Sequence, residues 1–473
     1  MSEVRDQDQG GDHMSASMTG TKTSEGGHSC PPNGGLENPP SVGDVAQTEL
    51  GRLPADWRVV RFDSFFDVQQ GRQVSKKNRI GDNQRPFLRT KNVFWNRLDL
   101  SDLDEMHFSE ADESRLALKP DDLLICEGGD IGRTAIWRGV ISRCYYQNHL
   151  HRARIRASEA ADAQFVLFWL WYAFEFGNLY FGRGNVTTIP NLSQSKLCEL
   201  PLAIPPLAEQ RKIAKVLGLV QQAIEQQERL IALTTELKKA LLHKLFTEGL
   251  RGEPQKQTEI GPVPESWEVV RLEDTCTFVS GGTPSKQNAE FWTGSIPWVS
   301  PKDMKKPRLS DVTDHISDAA LKDGSSLSPV GAVFVVIRGM ILAKDVPVAL
   351  AEVPMAFNQD MKAIIPGPRV VPSFLLYALV AFKQNLFQKV GRSAHGTMTL
   401  MSSELSQFSI PLPDRQTQEE IGSAIQTVEH KHEIHSRKHA AFNGLFRTLL
   451  HQLMTAQIRV SDLDRSLLFT SPE

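Results

Sequence analysis

The 473-residue sequence is poor in cysteine and has no long apolar run. Its five cysteines form no C-x-x-C pair, which excludes a typical zinc ribbon or disulfide framework and fits a reducing cytosol. The longest apolar stretch, FVLFWLWYAFEF at 165–176, has about 12 residues, whereas a membrane-spanning helix needs roughly 18. We therefore expect a cytoplasmic protein in which this stretch is a buried core helix.

Motifs for three enzyme chemistries are also missing or incomplete. No G-x-x-x-x-G-K-[ST] sequence is present, so ATP hydrolysis is not expected. Pro120-Asp121 and Glu127 resemble a P-D…E-x-K nuclease pattern, but Gly129 replaces the required lysine. The NPPS sequence at 38–41 lacks the aromatic residue of an amino-methyltransferase motif, and no G-x-G turn for a methyl donor accompanies it. We expect no catalysis by this chain.

The sequence also lacks a general excess of positive charge, because its formal net charge is −3. The acidic excess lies in residues 1–50, which are rich in Gly, Ser, Thr, Pro and Asp and nearly free of large apolar side chains. Such a segment cannot bury enough surface to fold, so we predict disorder there. Any nucleic-acid binding by the remaining chain would depend on local patches.

What the sequence does contain is a long internal repeat. LPADWRVVRFDSFFDVQQGRQVSK at 53–76 matches VPESWEVVRLEDTCTFVSGGTPSK at 263–286. Two helix-like segments without proline, at 207–248 and 416–455, end in the similar sequences ALLHKLFT and TLLHQLMT. A period near 210 residues is too long for a solenoid and indicates two duplicated domains.

Both helix-like segments carry a seam whose steps alternate between four and three residues, which requires a facing helix. Each is about 60 Å long at 1.5 Å per residue. The apolar seam residues predicted to pair are Ile213, Leu217, Val220, Ile224, Ile231, Leu241 and Leu245, with Ile421, Ile425, Val428, Phe442, Phe446, Leu449 and Leu453. His432, His435 and His439 have metal-like spacing, but a structural zinc site usually adds cysteine or a carboxylate, which favours a polar stretch.

The predicted fold is α+β: a tandem duplication of a mixed α/β domain followed by a long helix, the two helices pairing as an antiparallel coiled coil. The predicted layout is a disordered tail at 1–50, a first domain at 51–206, a long helix at 207–248, a linker at 249–262, a second domain at 263–413, a second long helix at 414–456 and a C-terminal tail at 457–473. The scaffold repeats but the loops differ, which suggests one task performed on two targets.

The P-x-x-W-x-x-V-R opening, the prolines before EQRKI at 209–213 and the LLHKLFT ending each have a counterpart in the second copy. Together they resemble the specificity (S) subunit of type I restriction–modification enzymes. The resemblance implies two target-recognition domains, each reading half of a split DNA sequence, separated by antiparallel helices that dock two methyltransferase subunits. It also implies that restriction subunits join the complex, a site-specific deoxyribonuclease and adenine methyltransferase. S-adenosylmethionine, Mg and ATP would bind only to those partner subunits.

A DNA-reading surface needs cations and amides for phosphates, and side chains that reach base edges. Loops on a rigid frame are where recognition usually occurs. In the first copy the candidates are Arg72, Lys76, Lys77, Arg89, Lys91, Asn92, Arg133, Asn148, His149, Arg183 and Asn185. In the second they are Lys286, Lys302, Asp303, Lys305, Lys306, Arg338, Asn358, Gln359, Arg392 and His395. An antiparallel helix pair would present the two sets to one duplex in opposite orientation, about one helical turn apart.

Two other interpretations remain open from the sequence. The chain could be the recognition subunit of a related complex whose partner fuses methylase and nuclease. It could instead be a coiled-coil adaptor that binds no nucleic acid, although two divergent, cation-bearing loop sets argue against this.

Overall fold

A computed structural model describes residues 45–157, 161–177, 179, 191–393 and 396–463. We call residues 45–206 the first region and residues 249–414 the second region. The strands of the first region are β1 Val45–Thr48, β2 Gly51–Pro54, β3 Arg58–Arg61, β4 Phe66–Gln70, β5 Gln84–Leu88, β6 Val93–Phe94, β7 Arg97–Leu98, β8 Asp104–His107, β9 Leu123–Cys126, β10 Thr134–Ile136, β11 Tyr145–Tyr146, β12 Leu150–Ile155 and β13 Pro201–Ile204. Its helices are α1 Phe62–Phe65, α2 Glu110–Leu116, α3 Ala163–Glu175 and α4 Gln194–Cys198, with a 3₁₀ turn at Thr90–Asn92.

The long helix α5, Leu207–Glu248, leads to the second region, and the long helix α11, Arg415–Met454, follows that region. The strands of the second region are β14 Gln255–Thr258, β15 Gly261–Pro264, β16 Glu268–Arg271, β17 Cys276–Ser280, β18 Ile296–Val299, β19 Arg308–Leu309, β20 His315–Ile316, β21 Leu327–Ser328, β22 Val333–Val336, β23 Val348–Ala351, β24 Met355–Phe357, β25 Met361–Pro366, β26 Val390–Arg392, β27 Met398–Leu400 and β28 Ser409–Leu412. Its helices are α6 Leu272–Thr275, α7 Asp318–Lys322, α8 Pro372–Ala381, α9 Lys383–Phe387 and α10 Ser402–Ser406, with 3₁₀ turns at Ala289–Trp292, Pro301–Asp303 and Met340–Ala343.

Both regions are built around the same antiparallel sheet. The strand order is β10-β9-β12-β4 in the first region and β23-β22-β25-β17 in the second, where β19 adds an edge strand. A smaller sheet accompanies each, β11-β5-β8 in the first region and β20-β18-β24-β21 in the second. The apolar stretch predicted to be a core helix is α3, which is buried against the first sheet, and α8 takes the equivalent place. The predicted duplication of an α+β unit is therefore confirmed.

The first two strands of each region form a β-hairpin, and the first hairpin overlaps the range predicted to be disordered. Strand β1 pairs with β2 from Val45↔Pro54 to Thr48↔Gly51, and β14 pairs with β15 in the same way. The hairpin is ordered because Leu53 is only 3% exposed, packed on the core of the first region. Residues 1–44 lie outside the described chain.

The two long helices pack against each other in antiparallel orientation along their length. Thr234 Oγ1 lies 3.1 Å from His432 Nδ1, and Gln227 Oε1 lies 2.9 Å from His435 Nδ1. Residue numbers therefore decrease along α5 in the direction in which they increase along α11. Because Gln227 and His435 are equivalent residues of the two copies, 208 positions apart, a pseudo-two-fold axis passes between them. The predicted antiparallel pairing is confirmed.

The ends of the helices do more than pair. Leu242, Leu245 and Phe246 at the end of α5 enter the core of the second region. Phe446, Leu450 and Leu453 at the end of α11 enter the core of the first region. Each region is thus held by the beginning of its own helix and the end of the other, which ties the two regions into one frame.

This exchange changes part of the predicted seam. Nine of the predicted pairing residues are buried: Ile213, Leu217, Ile224, Leu245, Ile421, Ile425, Val428, Phe446 and Leu453. The other five are only partly buried: Val220, Ile231, Leu241, Phe442 and Leu449. Near the helix ends, Leu242 and Leu450 are buried instead of their neighbours because they face the opposite region and not the partner helix.

Candidate nucleic-acid interface

In the first region, three loops leave the main sheet at the same end. Strand β4 ends at Gln70, which pairs with His151 near the start of β12, and β9 ends at Cys126, which pairs with Leu150. Strand β10 begins beside the end of β9. The loops at 71–83, 127–133 and 147–149 therefore meet at one place, which we call the first edge.

The second region repeats this arrangement. Ser280 at the end of β17 pairs with Lys362 of β25, and Val336 at the end of β22 pairs with Met361. The loops that begin at Gly281 and Ile337, together with residues 358–360, therefore meet at what we call the second edge. The β26–β27 hairpin joins it, since Arg338 forms a backbone bridge with Thr399.

A glycine permits the close crossing of two loops at each edge. A Cβ added at Gly71 would lie well inside van der Waals contact of the carbonyl oxygens of Tyr146 and Gln147. A Cβ at Gly281 would meet the carbonyl oxygens of Phe357 and Asn358 in the same way. Only a residue without a side chain fits these crossings, so the paired glycines are part of what places the polar loops together.

The first edge carries both charges. Glu127 Oε2 accepts a hydrogen bond from Gln70 Nε2 at 3.1 Å and lies 3.6 Å from Nδ1 of His149, which is 60% exposed. Arg133 forms an ion pair of 2.8 Å with Asp130, and its guanidinium lies over the ring of Phe94. This edge offers acceptors as well as donors to a bound molecule.

His151 contacts the segment at 191–193, which precedes α4 and lies beside the first edge. The ring is fully buried, and its Nε2 lies 2.7 Å from the carbonyl oxygen of Leu192. Burial lowers the pKa of His151, so the imidazole is neutral and Nε2 donates to that oxygen. Leu192 N in turn donates to the carbonyl oxygen of Glu127, which holds this chain segment against the first edge.

The second edge is cationic and amide-rich. Arg338 and Arg392 are exposed and form no ion pair with any other described residue. Asn358 Nδ2 donates to Thr283 Oγ1 at 3.2 Å, and that hydroxyl donates to Gln359 Oε1. Asp360 adds a carboxylate to the same loop, so this edge also offers both donors and acceptors.

Several predicted cations point to solvent beyond these edges. The members of this group are exposed and form no ion pair within the described part of the chain: Lys76, Lys77, Lys286, Lys305 and Lys306. They suit long-range attraction of phosphate, whereas Asn148, half-buried at the first edge, is placed for a shorter contact.

Other predicted DNA-binding residues have structural partners. Asn92 is 2% exposed and caps the 3₁₀ turn through the backbone of Arg89, and Asp303 caps the equivalent turn through Ser300. Because these side chains are committed to turns, they support the loops and do not reach outward.

Ion pairs occupy four further candidates. Lys91 pairs with Asp102 and Lys302 with Asp314, both at 2.7 Å, in equivalent positions of the two regions. Arg89 pairs with Asp104 at 2.7 Å, and Arg72 pairs with Asp112. Arg183, Asn185 and His395 lie outside the described residues.

Gln70 and Thr283 are not among the DNA-binding residues predicted from the sequence, and Glu127 appears there only as part of an incomplete nuclease motif. The signal available was positional, because each stands at the end of a shared strand or within three residues after it. Polar residues at such places meet at one end of an antiparallel sheet, which is a better guide than charge alone.

Other site types find no support in the described residues. No group of three or more His, Cys, Asp or Glu side chains there could hold a metal ion, and no described helix could cross a membrane. The three histidines of α11 hydrogen-bond to α5 instead: His432 to Thr234, His435 to Gln227 and His439 to Glu228. Burial raises the pKa of Cys126 and of Cys144 to about 12, so neither is a reactive thiolate.

The described chain is a duplicated α+β protein with two dissimilar polar edges on one pair of long helices. The chain belongs to the family described as Type I restriction modification DNA specificity domain, which matches residues 54–235 and 264–442. It is a DNA specificity subunit of a type I restriction–modification system, one component of that assembly, and is itself non-catalytic.

Similar proteins are described as specificity subunits of type I restriction enzymes. The chain is 30% identical over 235 residues to the EcoR124I/EcoR124II specificity subunit of Escherichia coli, a match over 49% of this chain and 55% of that relative, so about half of each is aligned. It is 22% identical over 424 residues to the putative MjaX specificity subunit of Methanocaldococcus jannaschii, over 88% of this chain and 96% of the relative. The S subunit structure from M. genitalium covers 84% of this chain and 96% of its own, with 16% identity and a TM-score of 0.56, and shares the fold.

Proposed function

We propose that the first and second edges are the surfaces that read DNA, each contacting one half of a bipartite and asymmetric target. The observation that carries this proposal is that equivalent sheet ends hold different side chains. Glu127 and His149 stand at the first edge, and Arg338 and Gln359 at the second. A shared frame with unlike contact groups suits one mode of binding applied to two sequences.

The helix pair would set the unread spacer between the halves. Because each region is anchored by both helices, lengthening the frame requires a seven-residue insertion in both, at the equivalent points before Gln227 and His435. Seven residues keep the seam in phase and add about 10 Å. That length corresponds to roughly three base-pair steps of 3.4 Å.

The test is selection of bound duplexes from a library with random sequence, using the full chain. The expected result is a bipartite consensus whose spacer grows by roughly three base pairs in the double insertion variant. A seven-residue Gly/Ser insertion between Arg251 and Gly252, in the loop after α5, is the control and leaves the spacer unchanged. An unaltered spacer in the helix variant, or no consensus from the parent chain, contradicts the proposal.

We also propose two methyltransferase subunits as partners, docked on the long helices, with restriction subunits completing the complex in the cytoplasm. Leu237 and Leu445 are equivalent positions of the two copies, and both are about half exposed, at 51% and 45%. A repeated exposed leucine supports two copies of one partner. S-adenosylmethionine, Mg and ATP would then bind to the partner subunits.

Native mass spectrometry of the co-expressed complex tests this stoichiometry. Leu237→Asp and Leu445→Asp are each expected to remove one of two methyltransferase copies, and the double variant both. Lys239→Ala and Arg447→Ala, at exposed equivalent positions nearby, serve as controls. Two retained copies in the double variant would exclude these leucines from the interface.

A further inference from the structure

Glu127 is an unusual residue for a surface that contacts DNA. It follows directly after β9 at the first edge, and its side chain is 10% exposed. A carboxylate repels phosphate, so it does not serve backbone contacts as Lys76 or Lys77 can. Its presence among the loops that meet at the first edge needs another physical reason.

The hydrogen bonding of Glu127 is incomplete. Gln70 Nε2 donates to Oε2 at 3.1 Å, and His149 Nδ1 lies 3.6 Å from the same oxygen. No described residue donates to Oε1. The side chain is only 10% exposed, yet Oε1 is not among the fully buried oxygens, so it can be reached from the surface. A ligand that supplies an N–H group could therefore hydrogen-bond to it.

The bases of DNA supply such a group. Cytosine N4 presents an amino donor in the major groove, and a carboxylate is the side chain that accepts from it. Gln70 donates to Oε2 of Glu127 and so restrains the carboxylate. The other oxygen, Oε1, remains available to accept from a ligand. This arrangement is suited to reading a base and not to binding a mobile cation, since described neighbours complete no metal cluster.

The second edge lacks this feature at the equivalent position. Strand β22 ends at Val336 as β9 ends at Cys126, and the next residues are Ile337 and the exposed Arg338. An arginine there matches the N7 and O6 acceptors of guanine, which is the commonest specific contact of this side chain. Ile337 stands at the position of Glu127, and Arg338 is one residue further on. The two edges therefore differ in hydrogen-bond polarity in the loop that follows this strand.

We propose that Glu127 determines specificity in the half-site bound by the first region by accepting a hydrogen bond from a cytosine amino group, and that Arg338 reads a guanine in the other half-site. This inference rests on the proposed function of the two edges. It adds which residue reads each half and the hydrogen-bonding class of its base.

The experiment is selection from a duplex library by the full parent chain and by Glu127→Gln, Arg338→Ala and Glu105→Gln. Glutamine has the shape of glutamate but pairs with adenine. Glu127→Gln is expected to change cytosine to adenine at one position of one half-site, with a change of about tenfold or more in relative affinity. Arg338→Ala relaxes a guanine in the other half, and Glu105→Gln, an exposed carboxylate on β8, changes neither.

If Glu127 had only a structural role, Glu127→Gln would lower the melting temperature or the overall DNA affinity without changing which base is preferred. Unchanged base preference in Glu127→Gln, while the parent chain selects a bipartite target, overturns this inference and leaves the proposed function standing. Failure of the parent chain to select any sequence overturns the proposed function itself.

Discussion

At the scale of single residues, the loops of both edges depend on glycines that tolerate no side chain. Gly71 and Gly281 follow equivalent strands, and each crosses the backbone of the loop that carries an asparagine, Asn148 or Asn358. Gly128 stands at the same first edge, yet a Cβ there would meet no atom within 4 Å. Gly71 and Gly128, both at the first edge, therefore form a matched pair for testing how tightly the loops pack there.

We expect Gly71→Ala to disturb the first region alone. The added Cβ must displace the backbone at Tyr146 and Gln147, and overpacking of this kind costs about 1–3 kcal/mol. Calorimetry should show a melting temperature lower by several degrees, and binding to the half-site read by the first region should weaken. Gly128→Ala is the control. Equal melting and equal half-site affinity of the two variants would show that the crossing is loose.

At the scale of elements, equivalent residues of the two long helices hold the regions in place by different chemistry. On α5, Gln221 Oε1 accepts from Asn96 Nδ2 at 2.7 Å. On α11, Glu429 accepts from the hydroxyl of Tyr377 at 2.6 Å and pairs with Lys238 of α5 at 2.5 Å. The second contact joins a region and both helices, so we expect it to matter more than the first.

The comparison of Glu429→Ala with Gln221→Ala tests this difference. Glu429→Ala leaves the fully buried Tyr377 without an acceptor and Lys238 without its carboxylate, a loss of about 1–3 kcal/mol. Gln221→Ala removes the neutral hydrogen bond to Asn96, worth about 1 kcal/mol, and a longer one of 3.4 Å to Glu225 on the same helix. Denaturant unfolding measures both, with Glu433→Ala as the control because its ion pair with Arg437 is exposed. A smaller effect at Glu429 than at Gln221 would contradict the expectation.

At the scale of the whole molecule, the C-terminal segment returns to the beginning of the chain. Arg459 pairs with Glu209 at 2.7 Å and with Asp56 at 2.8 Å, and Trp57 Nε1 donates to the same glutamate at 3.3 Å. The side chain of Glu209 is 11% exposed, so this contact is partly shielded from solvent. This cluster, which we call the Arg459 clamp, joins the C-terminal segment to the first region where α5 begins. It therefore lies at the opposite end of α5 from Glu248.

We expect Arg459→Ala to loosen this clamp without unfolding either region. Charged hydrogen bonds of this kind contribute about 1.5–3 kcal/mol, so amide exchange in residues 450–463 should become roughly tenfold faster or more. Hydrogen exchange followed by mass spectrometry measures it. Arg447→Ala, an exposed position on α11, is the control. Unchanged exchange in the Arg459 variant would mean that Val460 and the helix end hold the segment alone.

The pH dependence of the same clamp has a definite sign. The hydrogen bond from Arg459 lowers the pKa of Asp56 below its ordinary value of 3.8. A carboxyl whose pKa is lower in the folded state stabilises that state above the ordinary value, and the contribution is lost as the pH falls through the lowered pKa. The protection of residues 450–463 should therefore be insensitive to Asp56 titration between pH 5 and pH 8.

The sequence by itself determined the duplicated plan, the long helices and most of the buried positions of their seam. These features are encoded locally, because a repeat needs only comparison of the chain with itself and a helix seam needs only the spacing of apolar residues. The same reasoning located both loop sets, since glycine and polar residues follow the same strands in each copy.

Only the tertiary structure decided which residues meet. Leu242 and Leu450 replaced their neighbours as buried positions because the helix ends enter the opposite regions, and no local period records that exchange. Asn92 and Asp303 became caps, while Glu127 joined Gln70 at a sheet end 57 residues away along the chain. Such contacts arise from packing between distant segments, so residue type and spacing could not reveal them.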